Sequence, residues 1–106
     1  MTFKEFTEHV QEHRLASADQ AYVTLGLVGE VGELFGYLAK SIRDAYEPDM
    51  EHVKKELGDI LWFISAMADD IGSSLEEVAV LNKAKIAARA AAGKLQGSGE
   101  ELHERQ

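Results

Sequence analysis

The stretch LGLVGEVGEL, residues 25–34, combines helical spacing with two residue types that helices usually avoid in their interiors. It contains three glycines, and each glycine inside a helix costs about 0.5–1 kcal/mol relative to alanine. It also places Glu30 and Glu33 within an apolar run, where an unpaired carboxylate is costly to bury. A helix that keeps both features needs a close neighbour for its glycines and a partner for its carboxylates.

Capping signals divide the whole chain into four predicted helices. Thr2 with Glu5 has the pattern of a capping box, and Ser74 with Glu77 repeats it. Pro48 must lie beyond the end of the second helix. The predicted helices span residues 2–14, a segment from 17–19 to before Pro48, residues 49–71 and residues 74–93. The sequence therefore predicts an all-α fold, with a single domain over residues 1–92 and a flexible tail over residues 93–106.

Composition narrows the function classes. The chain has 106 residues, 45% of them hydrophobic, which suits one domain. It contains no cysteine, so disulfides and thiolate metal sites are excluded, and we expect a protein of the reducing cytoplasm. No signal peptide or membrane span is expected from its apolar runs. A formal charge of −8 argues against nucleic acid and anionic membranes as partners, and a phosphate ligand would need a metal or a local basic cluster.

Two acidic pairs carry the strongest functional signal. ELGD, residues 56–59, repeats the spacing of Glu30 and Glu33 with Glu56 and Asp59. Residues three apart on a helix lie about 60° apart around its axis and about 4.5 Å apart along it, so each pair projects from one face. The mean of the four positions falls between residues 44 and 45, where a turn is already predicted. An antiparallel hairpin would bring the two pairs level, and the four carboxylates would repel one another unless cations lay between them.

The alternative is that both pairs lie on solvated helix faces, where such spacings are common. The apolar surroundings of both pairs, their alignment by the hairpin and the absence of a basic residue four positions after Glu30 or Glu33 favour a metal site. Ferritin-like di-iron sites use Glu-x-x-His pairs, and neither motif here is completed by a histidine. Ligands with oxygen only favour Mg²⁺ or Mn²⁺, and Mg²⁺ usually also binds substrate phosphates.

Two further features indicate close contacts. The glycines of the second helix, with Gly36 added, recur at steps of three and four residues and form a strip without side chains. Close helix packing and ligand access both explain such a strip. Residues 60–68 of the third helix are apolar on almost every face, which predicts a central helix covered partly by another subunit.

The motifs LGLVGEVGEL, ELGDILWFI and NKAKIAAR together resemble the MazG-like all-α nucleoside triphosphate pyrophosphohydrolases, over about residues 20–97. The resemblance implies a four-helix bundle that works as a homodimer or homotetramer. It also implies Mg²⁺-dependent hydrolysis of a nucleoside triphosphate to the monophosphate and pyrophosphate. Carried over by position, the catalytic metal ligands would be Glu30, Glu33, Glu56 and Asp59.

The same resemblance suggests residues that bind phosphate. Asn82 and Lys85 match the Asn-x-x-Lys element of the family, and Arg89 follows one turn later on the same face. A solvated basic stripe is an equal explanation for Arg89. Lys40, two turns beyond Glu33, is a further candidate.

Trp62 and Phe63 could stack on a nucleobase, but aromatic residues in so apolar a helix favour a role in the core.

Gly29 departs from the family, because some relatives carry there a glutamate proposed to activate water. A motif carboxylate or a metal-bound hydroxide would have to serve in its place. The alternatives left open are hydrolysis of phosphoribosyl-ATP, a pyrimidine-specific activity on dUTP or dCTP, and a non-catalytic helical adaptor.

Overall fold

Four α-helices make up the secondary structure of residues 1–94, the part of the chain that the computed structural model describes. They are α1 (Phe3–His13), α2 (Gln20–Arg43), α3 (Met50–Asp70) and α4 (Leu75–Ala91). The predicted all-α class and the helix boundaries are confirmed. Within the described range, no helix is both long enough and apolar enough to cross a bilayer. Most of the predicted tail lies outside the described residues.

The first three helices begin where their capping residues predict. The Thr2 hydroxyl accepts a hydrogen bond from the Glu5 backbone N–H at 3.0 Å, and the Glu5 carboxylate accepts one from the Thr2 N–H at 2.9 Å. Asp19 and Asp49 cap α2 and α3 by accepting bonds from nearby backbone N–H groups. These bonds satisfy donors that a helix start otherwise leaves unpaired.

Residues with left-handed backbone follow the ends of α2, α3 and α4. Gly72 and Gly93 have φ of 75° and 70°, as glycines after a helix commonly do. Ala45 takes the same position after α2 with φ 54°, and the next N–H, that of Tyr46, donates to the Ser41 carbonyl at 3.0 Å. Left-handed backbone costs a residue with a Cβ about 1–2 kcal/mol. The sequence therefore does not predict this conformation at Ala45.

Helices α2 and α3 pack along each other as a hairpin whose register agrees with the sequence arithmetic. Residues equidistant from the midpoint between positions 44 and 45 lie across from each other. Gly26 lies against Phe63, and the Tyr37 and His52 rings are 4.4 Å apart between centroids. The hairpin is therefore a series of matched layers, with the acidic pairs between an aromatic layer and the Tyr37–His52 layer.

The core joins α1 to this hairpin. Val10, Val23 and Ala66 are buried, and Trp62 and Phe63 pack against them. The interpretation of these aromatic residues as core is confirmed.

An ion pair fastens the end of α1 and the loop after it to the end of α3. The Arg14 guanidinium donates two hydrogen bonds to the Asp70 carboxylate, at 2.8 and 3.1 Å, and its Nε donates to the Ala18 carbonyl at 2.8 Å. The contact raises the pKa of Arg14, chiefly through the hydrogen bond to Asp70. A bidentate pair that is largely shielded from solvent is geometrically specific, so it holds the loop in one place.

Residues 1–75 form one compact unit that contains α1, α2 and α3. A second unit begins at Glu76, and its described residues include nearly all of α4. The single domain predicted over residues 1–92 stays a prediction.

Candidate metal centre

Three of the four predicted carboxylates converge on one small volume. One carboxylate oxygen from each of Glu30, Glu33 and Glu56 lies within 4.8 Å of the others. Two of these residues come from one face of α2, and Glu56 comes from the opposite layer of α3. Asp59 is outside this group of three, but its negative charge helps to raise the pKa of Glu30. The hairpin thus gathers the acidic pairs as its register predicts, with Asp59 at the edge of the cluster.

The electrostatics of the cluster suit a cation. Burial raises the pKa of Glu30 most, and the nearby negative charges of Glu33, Asp59 and Glu56 raise it further. Oε2 of Glu30 and Oε2 of Glu56 are buried without a hydrogen-bond partner among residues 1–94. Buried carboxylate oxygens that accept no hydrogen bond cost free energy, and a bound cation would supply the missing partner. The atoms available to bind the cation are all carboxylate oxygens, which fits a hard divalent ion such as Mg²⁺ or Mn²⁺.

A histidine that the motif comparison passed over lies beside the cluster. The His52 Nε2 atom is 3.8 Å from Oε1 of Glu56. The two residues are four apart on α3 and therefore share a face. The spacing of four residues between His52 and Glu56 is visible in the sequence and indicates that the two side chains can meet. It does not match the Glu-x-x-His motif, in which the histidine follows the glutamate by three residues.

Only one glycine of the α2 strip is explained by close packing within the described residues. A Cβ added at Gly26 would lie 2.8 Å from Cζ of Phe63. Added at Gly29, Gly32 or Gly36, it would meet nothing within 4 Å among the described residues. The strip beside Glu30 and Glu33 is therefore open along most of its length.

An aromatic cavity of about 520 Å³ lies along the hairpin from the acidic cluster. Phe63, one turn after Asp59, forms part of its wall, and the Trp62 ring meets Phe63 edge-on with centroids 5.4 Å apart. Its lining consists of His13, Leu15, Ser17, Ala18, Tyr22, Trp62 and Phe63. The two aromatic residues of α3 thus serve the core on one side and a cavity on the other.

The basic and amide candidates differ in their surroundings. In α4, Asn82 is exposed, Lys85 is half-buried and Arg89 is 6% exposed. The explanation of Arg89 as part of a solvated stripe is therefore wrong. Lys40 is exposed in the last turn of α2, where its charge helps to lower the pKa of Asp44, after the larger effect of the Arg43 hydrogen bond. The phosphate-binding roles of these residues stay predictions.

Comparison with known proteins gives two matches. The sequence model of the MazG nucleotide pyrophosphohydrolase domain matches residues 19–92. The chain is also 31% identical over 111 residues to "Gene 37 protein" of Mycobacterium phage L5, in an alignment that covers 87% of this chain and 97% of that protein. No solved structure matches the chain significantly. The matched span begins at the residue that caps α2 and includes both acidic pairs.

Proposed function

The chain belongs to the MazG nucleotide pyrophosphohydrolase domain family, and from that premise we propose that it hydrolyses a nucleoside or deoxynucleoside triphosphate to the monophosphate and pyrophosphate with Mg²⁺. The observation that carries the proposal is the convergence of Glu30, Glu33 and Glu56 within 4.8 Å. Such a cluster is unfavourable in a protein that does not bind a cation. It therefore opposes the alternative of a non-catalytic adaptor.

In this proposal, Glu30, Glu33 and Glu56 hold Mg²⁺ through their carboxylate oxygens, and Asp59 completes the ligand set. The buried Oε2 atoms of Glu30 and Glu56 support that assignment. When bound, Mg²⁺ neutralises phosphate charge, polarises the phosphoryl group and activates water. Mn²⁺ would suit the same oxygen ligands. The acidic side chains would fix the position of the ion, because two helices hold them at a fixed separation.

The aromatic cavity is suited to the nucleobase. Phe63 follows Asp59 by four residues, which is about 6 Å along the helix axis. A nucleotide whose phosphates lie at the acidic cluster can therefore extend its base toward the wall formed by Trp62 and Phe63. Stacking on these rings and exclusion of water would hold the base. A nucleotide substrate also agrees with the cytoplasmic location that the absence of cysteine favours.

For the triphosphate, the proposed contacts are those that the family resemblance implies. Lys85 and Asn82 would stabilise the charge that gathers on the leaving pyrophosphate. Arg89 and Lys40 are the further candidates for phosphate binding.

We also propose that the working unit is a homo-oligomer, with a second copy covering α2. Steps of three and four residues along this helix place apolar or small residues in one continuous stripe, the pattern of a coiled-coil seam. Its large members are Leu25 (72% exposed), Val28 (69%), Phe35 (61%) and Ile42 (81%), with Gly32 and Ala39 between them. A stripe of this length on one helix favours pairing with the same stripe of another copy, because the two surfaces match in chemistry and spacing.

Release of pyrophosphate from a panel of ribo- and deoxynucleoside triphosphates, with phosphoribosyl-ATP included, tests the proposed activity. We expect Mg²⁺-dependent release by the wild-type protein and loss of most of it in Glu33→Gln. The matched control is Glu5→Gln, because Glu5 caps α1 away from the cluster. A wild-type protein inactive on the whole panel with both Mg²⁺ and Mn²⁺, or a fully active Glu33→Gln variant, would overturn the proposal. The preferred substrate separates the general activity from the phosphoribosyl-ATP, dUTP and dCTP alternatives.

A further inference from the structure

The layer of the hairpin next to the acidic cluster contains Tyr37 and His52. Tyr37 lies four residues after Glu33 on α2, and His52 lies four residues before Glu56 on α3. Their rings meet edge-on, with centroids 4.4 Å apart and planes at 63°. The Tyr37 hydroxyl accepts a hydrogen bond of 2.8 Å from the backbone N–H of Asp49, which caps α3. Tyr37 is therefore fixed at both ends of its side chain and limits the positions that the His52 ring can take.

The two oxygens of Glu56 have different surroundings. Oε1 is 3.8 Å from Nε2 of His52, whereas Oε2 is buried without a hydrogen-bond partner among the described residues. The Glu56 side chain is 16% exposed and the His52 side chain 43% exposed, so the carboxylate is the more shielded of the two. One oxygen thus lies near a ring nitrogen of His52, and the other has no protein partner among the described residues.

We propose that His52 is a positioning residue for Glu56, and that it donates its Nε2–H to Oε1 so that Oε2 is the oxygen presented to the cation. The inference rests on the metal site of the proposed function. A carboxylate turns easily about its terminal bond, whose torsion is broad and roughly two-fold. A donor on one oxygen removes that freedom. The present separation is too long for a hydrogen bond, and a movement of about 1 Å makes one.

Metal ligands generally depend on such outer contacts, and removing one typically lowers metal affinity about 10–100-fold. The role requires neither a charged imidazole nor direct contact between His52 and the cation. A neutral ring with its proton on Nε2 is sufficient, and the amide of a glutamine can supply a donor at a similar position.

The test measures Mn²⁺ binding to the full chain by electron paramagnetic resonance of the free ion, which does not depend on turnover. His52→Leu keeps the approximate size of the side chain without a donor, and we expect it to weaken Mn²⁺ binding about tenfold. His52→Gln should bind within about threefold of wild type because it restores the donor. Melting in the presence of a chelator should be unchanged in both variants, since His52 is partly exposed.

Wild-type affinity in His52→Leu, or equal losses in the leucine and glutamine variants, would overturn the inference. Should His52→Leu fail to fold, His52→Asn replaces it: its shorter amide cannot reach the same position, so it must bind Mn²⁺ more weakly than His52→Gln, and equal binding would overturn the inference. A wild-type protein that binds Mn²⁺ but hydrolyses no nucleotide refutes the proposed activity and leaves this inference standing. A wild-type protein that binds no Mn²⁺ refutes both.

Discussion

Replacement of Gly26 by alanine should reveal how tightly α2 approaches α3 beside the aromatic cavity. The new methyl group would lie closest to Cε1 of Phe63 and 2.8 Å from its Cζ, well inside the contact distance of two carbon atoms. Overpacking of this kind costs about 1–3 kcal/mol in the free energy of unfolding. Alanine is also the better helix former by about 1 kcal/mol. Gly26→Ala should therefore change stability by between about 0 and 2 kcal/mol in the destabilising direction.

Gly29→Ala is the matched control, because it brings the same gain in helix propensity and its Cβ meets nothing within 4 Å among the described residues. It should stabilise the protein by about 1 kcal/mol. The gap between the two variants isolates the steric cost at about 1–3 kcal/mol. Urea unfolding followed by circular dichroism, at equal protein concentrations, measures it. Trp62 fluorescence should also change in Gly26→Ala alone, because Phe63 must move and its ring contacts Trp62. Equal stability changes in the two variants would refute the close approach of the helices.

Three other predictions follow from the site and the exposed stripe. Asp59→Asn should remove most pyrophosphate release, as is expected for Glu33→Gln. The double variant should lose little more than the worse single variant, because both residues act through one cluster. Losses that multiply would contradict this shared action. Burial and neighbouring charges raise the pKa of Glu30 above its ordinary value of 4.5, so the metal-free protein should lose stability as pH rises above that ordinary value. Glu30→Gln should reduce that loss in thermal melting, and an equal loss in both proteins would count against it. Phe35→Glu, a charge placed in the exposed stripe of α2, should shift sedimentation toward the monomer; an unchanged sedimentation coefficient would exclude this face as the interface.

The helix boundaries were predictable because the signals for them are local. The side chain of Thr2 bonds to a backbone group three residues away, so one short stretch of sequence contains the whole interaction. The hairpin register was also predictable, since the acidic pairs and Pro48 gave independent indications of where the chain turns. Ala45 was not predictable as a left-handed residue: the bonds around it determine that conformation, and alanine does not favour it.

The surroundings of individual side chains could not be predicted from spacing. Glycine spacing alone did not distinguish Gly26, which Phe63 contacts, from Gly29, which is open, because the difference depends on the opposite helix. The sequence also left open whether Arg89 is solvated or binds a ligand, and the side chain is buried. His52 was overlooked because a ligand motif describes residues that bind the ion, and a residue that positions a ligand follows no such motif.

A hairpin built from matched layers also determines where the chain can gain or lose residues. A single residue inserted in α2 between Glu33 and Arg43 would rotate Glu30 and Glu33 by about 100° relative to α3 and move them about 1.5 Å along it. The same insertion between Asp44 and Pro48 would leave both helices, and every pair across them, in register. If α2 and α3 became longer on the side of the connection, each would have to grow by a whole number of helical turns to keep the acidic pairs facing each other. In the divergence of this chain, insertions and deletions should therefore collect in the connection between α2 and α3, while the distance from each acidic pair to that connection stays fixed.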